Sequence, residues 1–260
     1  GNPVGDRSGR NRKAKPRVQG RSAGAMMQAP SVFHVDRLEL SFAPKPWAFA
    51  VERRAEIDAY FSALRREKPH VWNGRVLLMH DRSVENGVLH GQYLETDYAS
   101  FSAWCHWNRP AAGVGDCFSA AAILSADGAF LLGVMGPHTF NGGRIYFPCG
   151  TPDPAVIVDG KVDLDLSLRR ELKEETGLDM TGFEPEPGWT MSVDGALIAQ
   201  VKVLRSKESA TDLRGRIRAY LASEKRPELA DIHIVRGPGD FDPAMPGYAT
   251  AFMASRFARG

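Results

Sequence analysis

The 260-residue chain contains no run of about 18 apolar residues, which excludes a membrane-spanning helix. Cysteine is scarce. Cys105, Cys117 and Cys149 form no Cys-x-x-Cys pair, and their odd number argues against a disulfide framework. A reducing compartment is expected, and with it a cytoplasmic location. Cys105-His106 with Cys117 matches no common zinc spacing. Gly113, Gly115, Gly142 and Gly143 make no phosphate loop, and no internal repeat is found. What is present is ordinary for a water-soluble chain with a core: 43% hydrophobic and 25% charged residues. At about 150 residues per domain, the length suits one large domain or two modest ones.

The net charge of +2 is unevenly spread. Residues 1–25 carry seven Lys/Arg and a single acid, Asp6, leaving 26 basic and 30 acidic residues in the rest. The body is therefore mildly acidic, which disfavours a nucleic-acid grip through the folded surface. Residues 1–30 are rich in Gly, Arg, Ser and Pro and read as a disordered basic tail. The chain opens on Gly, with Met26-Met27 downstream, so residues 1–25 are expected to be a non-native leader. A targeting peptide and a basic nucleic-acid arm are the other readings.

Residues 31–112 are expected to form an N-terminal lobe and residues 113–260 the main domain. Within the lobe, Val32–Phe42 reads as one strand and residues 51–67 as a helix, with Ile57, Tyr60, Phe61 and Leu64 recurring at helical spacing. Arg75–His80 and Gly87–Leu94 read as strands. The aromatic group Tyr98, Phe101, Trp104 and Trp107 reads as a helix face packed into a core, or as a stacking surface for a nucleobase. From residue 116 the pattern sharpens. Apolar runs flank Asp127-Gly128, a hairpin signal, because Gly supplies the positive φ of a tight turn. A strand over 144–148, a helix over 164–176 stopped by Gly177, a strand pair over 189–193 and 196–204, a helix over 209–222, a short strand over 232–235 and a helix over 242–257 follow. Strands and helices mix without regular alternation, which predicts an α/β (α+β) layered fold rather than a doubly wound parallel sheet.

The helix at 164–176 carries the chemistry. Glu171, Glu174 and Glu175 lie three and four positions apart and share a face, overlapping the apolar stripe of Leu164, Leu168 and Leu172. Three carboxylates turned partly toward a core repel one another and lose hydration, unless a cation neutralises them. Hard oxygen ligands of this kind suit Mg2+ or Mn2+. A solvated acidic face paired with Arg170 and Lys173 is the plainer alternative.

Arg170-Glu171-Leu172-Lys173-Glu174-Glu175-Thr176-Gly177-Leu178 resembles the second half of the Nudix box, REUxEExGU, where U is a bulky aliphatic residue. Tyr146-Phe147-Pro148-Cys149-Gly150-Thr151 is similar to the strand and glycine that open the box. The first half departs from the pattern. Val156 and Val162 stand where the family has Gly and Glu, and Gly150 lies twenty residues before Arg170, so about six extra residues fill the loop. Asp163 and Asp165 are the candidates to replace the missing Glu. Thr96-Asp97-Tyr98 with Phe101 resembles the segment ahead of the core in nucleotide-sugar pyrophosphatases of the UDP-glucose type.

The resemblance implies a Nudix-type α/β/α sandwich with a mixed sheet, and a metal-dependent hydrolase of nucleoside diphosphates linked to another moiety. The moiety would be of the nucleotide sugar, ADP-ribose or dinucleotide type. It implies Glu171, Glu174, Glu175 and the Gly150 carbonyl as Mg2+ or Mn2+ ligands, with Glu171 also the base toward water. Arg170 would orient the carboxylates. A later acid is expected among Glu224, Glu228 and Asp231, with Glu228 favoured. Tyr98, Trp104, Trp107, His138 and Arg144 are the candidate substrate contacts. The implied partner is a small-molecule nucleoside diphosphate derivative, without membrane or nucleic acid, and a homodimer is a candidate assembly. A nucleotide-binding sensor without turnover and an RNA-processing protein of the same fold are the alternatives.

Overall fold

The computed structural model describes residues 29–259; the expectation of a disordered tail falls mostly on residues 1–28, outside it. The strands are β1 (Ser31–Val35), β2 (Arg37–Phe42), β3 (Arg75–Glu85), β4 (Val88–Asp97), β5 (Asp116–Leu124), β6 (Phe130–Met135) and β7 (Ile145–Tyr146). They continue with β8 (Ile157–Val158), β9 (Lys161–Val162), β10 (Glu184–Pro185), β11 (Trp189–Asp194), β12 (Leu197–Arg205) and β13 (Leu229–Val235). The helices are α1 (Ala48–Glu52), α2 (Arg54–Glu67), α3 (Tyr98–His106), α4 (Leu164–Thr176), α5 (Ala210–Ser223) and α6 (Gly247–Phe257). Among the described residues, no helix is long and apolar enough to cross a membrane.

One mixed sheet runs in the order β1-β11-β12-β5-β6-β13, with β12 and β5 parallel and the other neighbours on this path antiparallel. Because alternate strand residues face opposite sides, β5 serves two cores at once. Ala121 and Ile123 pack toward Leu168 and Leu172 of α4 and Leu213 and Ile217 of α5. Phe118, Ala120 and Ala122 pack toward Tyr248, Phe252 and Met253 of α6. The sheet is thus sandwiched between helices, the layered mixed α/β architecture expected from the sequence.

A second sheet runs β3-β4-β2-β9-β8 and is covered by α2 and α3 through Ile57, Phe61, Leu78, Leu94 and Trp104. Leu77, Leu89 and Tyr93 of this sheet meet Cys117, Met191 and Ile198 of the first in a shared core. Residues 31–112 and 113–260 exchange strands. β1 pairs with β11 of the first sheet, while β9, from the segment after Gly150, pairs with β2 of the second.

The single strand expected over Val32–Phe42 is two strands in different sheets, broken at Asp36. The helix expected over 51–67 starts earlier and breaks at Arg53. The last helix begins at Gly247 rather than 242, because Pro246 precedes it and residues 242–246 form turns.

Candidate active site

Helix α4 spans the expected residues. Asp163 caps it, its carboxylate accepting the Leu166 N–H at 2.9 Å. Gly177 ends it in the left-handed conformation at φ 71°, where a Cβ would also strike the Tyr220 ring at 2.4 Å. The helix is thereby fixed in register, with Leu164, Leu168 and Leu172 buried and Glu171 and Glu175 beside them.

Glu175 is 2% exposed. Burial pushes its carboxyl pKa well above the usual range, and the charges of Glu228, Glu171 and Glu174 push the same way, against a backbone hydrogen bond from Cys149. Glu171 is raised to about 7 by burial. Arg170 opposes that shift, while Glu174 and Glu228 add to it. Glu228 is exposed as a residue, yet enough protein surrounds its carboxyl to raise its pKa. Glu174 adds to that shift and His138 opposes it. Glu174 itself is exposed. Four carboxyls from α4 and the approach to β13 thus share one electrostatic neighbourhood.

Gly150 closes that neighbourhood. A Cβ there would lie 2.8 Å from both Cδ and Oε2 of Glu171, so only glycine lets the loop approach the carboxyl this closely. Arg170 donates to Glu171 Oε1 at 3.3 Å and pairs with Asp153 at 3.0 Å, linking the loop after Gly150 to the helix. Asp153 is therefore the acid that holds Arg170. Of the residues expected in that place, Asp163 is spent on the helix cap and Asp165 pairs with Arg169 at 2.6 Å. Sequence spacing gave no sign of Asp153.

Among the late acids, Glu228 alone reaches the cluster. Asp231 pairs with Arg214 at 2.8 Å, and Glu224 is exposed at the end of α5. The substrate-contact candidates scatter. Arg144 lines a cavity of about 440 Å3 beside Cys149 and Gly150, together with Arg109, Asp116, Tyr146 and Tyr248. His138 and Tyr98 line a neighbouring cleft of about 430 Å3 that also holds Glu228. Trp104 is fully buried, its N–H donated to the Pro110 carbonyl at 2.9 Å, so it offers no stacking face. The Trp107 ring is covered by the Arg53 guanidinium, 4.0 Å from its centroid.

Two polar residues of the larger cavity carried no signal in the sequence. Asp116 is 4% exposed; burial raises its pKa to about 6 against the pull of Arg109 and of the Thr151 hydroxyl, which donates to Oδ2 at 3.2 Å. Its Oδ1 and the Nε of Arg109 are buried without hydrogen-bond partners. Burial pushes the Cys149 thiol pKa well above its ordinary value, and its sulfur lies 3.7 Å from the Tyr248 hydroxyl.

Among the described residues, no three carboxylate, imidazole or thiol groups stand together as a ready-made metal-holding set. The donor set nevertheless fits a hard divalent cation. Its donors are all oxygen, and the buried Glu175 carboxyl feels three acidic neighbours, an arrangement that a cation would relieve.

No family model and no curated protein matches the chain at the level of sequence. Among solved structures it is similar to a Nudix hydrolase from M. smegmatis, RenU, at 16% identity and a TM-score of 0.36, covering 56% of this chain and 84% of that one. It is also similar to the MutT protein from Methanosarcina mazei Go1, at 19% identity and a TM-score of 0.35, covering 56% and 95%. DR0079 from Deinococcus radiodurans aligns at 12% identity and a TM-score of 0.35, covering 48% and 68%. Likeness of this extent carries no weight about activity, which has to rest on the site.

Proposed function

We propose that this chain is a divalent-metal-dependent hydrolase that cuts the diphosphate bond of a nucleoside diphosphate linked to a second moiety. One observation carries the reading: the carboxyls of Glu171, Glu175 and Glu228 share a partly desolvated neighbourhood against Gly150, beside a cavity lined with arginine and tyrosine. Mg2+ or Mn2+ would be held by Glu171, Glu174, Glu175 and the Gly150 carbonyl. When bound, it would supply charge neutralisation of the diphosphate and acidification of water.

The chain's own residues account for the rest. Arg170, anchored on Asp153, fixes the Glu171 carboxyl. Burial raises Glu171 to about 7 in the metal-free chain; with the cation bound its carboxylate would be held ionised and placed to accept a proton from the attacking water. The water oxygen bonds to one phosphorus, the bridging P–O bond breaks, and its electron pair leaves on the departing phosphate. Arg144 faces the cavity from its rim and suits a phosphate oxygen. Phe118, Tyr146 and Tyr248 wall the same cavity with aromatic surface, which suits a nucleoside.

The test is Mg2+-dependent hydrolysis across nucleotide sugars, ADP-ribose, dinucleotides, nucleoside triphosphates and capped RNA, with products identified by mass spectrometry. The expected products are a nucleoside monophosphate and a phosphorylated second moiety. Binding without turnover of every substrate would leave a sensor instead. Faster turnover of capped RNA or triphosphates would overturn the substrate class.

A further inference from the structure

The second cleft, beside Glu228, is built by both parts of the chain. Lys68, His70 and Trp72 come from the loop after α2, and His138, Phe140 and Arg226 from the main domain. The walls are pinned together. Lys68 Nζ donates to the Thr139 carbonyl at 3.0 Å, and Arg226 Nη2 lies 3.1 Å from the His70 ring nitrogen Nε2. Phe140 lines this cleft and the larger cavity alike, so the two spaces adjoin, and the carboxylate neighbourhood reaches this cleft through Glu228.

Trp72 is 82% exposed. The other four tryptophans are accounted for: Trp47, Trp104 and Trp189 are buried, and Trp107 lies under Arg53. Among the described residues, Trp72 joins no aromatic pair and no cation contact, and Phe140, 41% exposed, is likewise unpaired. Bare rings beside Lys68, Arg226 and two histidines suit a flat ring joined to a negatively charged group. A sugar would call for hydroxyl acceptors, and the one carboxylate lining the cleft, Glu228, is already turned to the catalytic cluster.

We infer that this cleft is a second nucleotide subsite, in which Trp72 stacks a base while Lys68 and Arg226 hold its phosphate, so that the preferred substrate is a dinucleotide. The inference rests on the hydrolase reading above for the bond that is cut, but not for the binding. The acidic body favours a small dinucleotide over a nucleic-acid strand.

Diadenosine diphosphate and ADP-ribose differ only by the second adenine and make the test. On the full chain with Mg2+, Trp72→Ala is expected to raise KM for diadenosine diphosphate at least tenfold more than KM for ADP-ribose, with Trp72→Phe restoring most of the difference. Arg226→Ala, which leaves the indole in place, should weaken diadenosine diphosphate as well. A second readout is tryptophan fluorescence titrated in EDTA, where diadenosine diphosphate should quench the wild type saturably and Trp72→Ala should lose that quenching. If no substrate is hydrolysed but this quenching is found, the hydrolase reading fails and the subsite stands. Equal KM shifts for the two ligands, quenching that is absent or survives in Trp72→Ala, or tighter Trp72-dependent binding of oligoadenylate would overturn the inference.

Discussion

The carboxyl of Glu171 occupies the space that a side chain at Gly150 would need, with a Cβ at 150 falling 2.8 Å from its Cδ. The nearest atoms belong to the end of a flexible side chain rather than to backbone, so Gly150→Ala should fold. The added methyl would swing the carboxyl away from its place. Turnover is expected to fall on the order of 10² or more, while the melting temperature stays within a few degrees. Steady-state kinetics with a thermal melt checks both; full activity would show that Glu171 need not sit against the loop.

Glu175 should separate rate from stability. Replacement by Gln removes a buried acid subject to three like charges, so metal-free Glu175→Gln is expected to be at least as stable as wild type. The sign follows from the raised pKa. The folded state keeps a proton that the unfolded chain has lost, so wild-type stability falls as pH climbs above the unfolded value of about 4.5. Mg2+ should raise the wild-type melting temperature and shift the variant much less. Turnover of Glu175→Gln, and of Glu174→Gln, should drop on the order of 10² or more. Calorimetry with and without Mg2+ at pH 5 and 8 reads the first effect, and initial rates read the second.

Asp153 and Asp163 are expected to behave oppositely. Asp163→Ala loses the helix cap and should cost about 1 kcal/mol of stability with little effect on kcat. Asp153→Asn frees one side of the Arg170 fork and should lower kcat about tenfold at nearly unchanged KM. It should also displace the acid limb of the pH–rate profile through Glu171. Urea unfolding and pH–rate profiles of the two variants distinguish a cap from a positioning residue.

Acid stability depends on the lobe. Burial would raise the Asp97 pKa, but hydrogen bonds from Arg54 and Ser100 outweigh it and lower the value to about 2. Because the folded pKa lies below the unfolded one, the stabilisation is full above about pH 4 and is lost as pH falls toward 2. Discounted for partial exposure, it amounts to about 1–2 kcal/mol. Asp97→Asn should be destabilised by that amount at pH 7 and match wild type near pH 2. Urea unfolding across that range is the measurement.

Much of the main domain was legible in the sequence. The Leu spacing and the stop at Gly177 each act within one turn of chain, so the extent of α4 was legible, whereas the cap at Asp163 was not: its place beside the motif suggested a stand-in for the missing Glu. Asp127-Gly128 likewise announced the β5–β6 hairpin, where Gly128 takes φ 80°. Features made by distant partners were not legible. Alternation along Val32–Phe42 says which residues face a core but not which sheet they join, so the break at Asp36 went unseen. Trp104 and Trp72 are the same residue type, yet one is fully buried and the other bare, because tertiary packing decides between them. Trp72 and Arg226 line one cleft across 154 positions of sequence, a separation that no local pattern bridges.

The residues between Gly150 and α4 are more than a spacer. They fold into β8 and β9, and β9 joins β2 through Ser41 and Lys161, with Val162 buried in the core shared by the two sheets. Deleting them would cut the only hydrogen-bonded ladder from the second sheet to the approach of α4 among the described residues. The insertion works as a stitch. The approach to α4 is held partly by a strand more than a hundred residues upstream, so on the hydrolase reading a change in that strand would be felt as a change in turnover without touching a carboxylate.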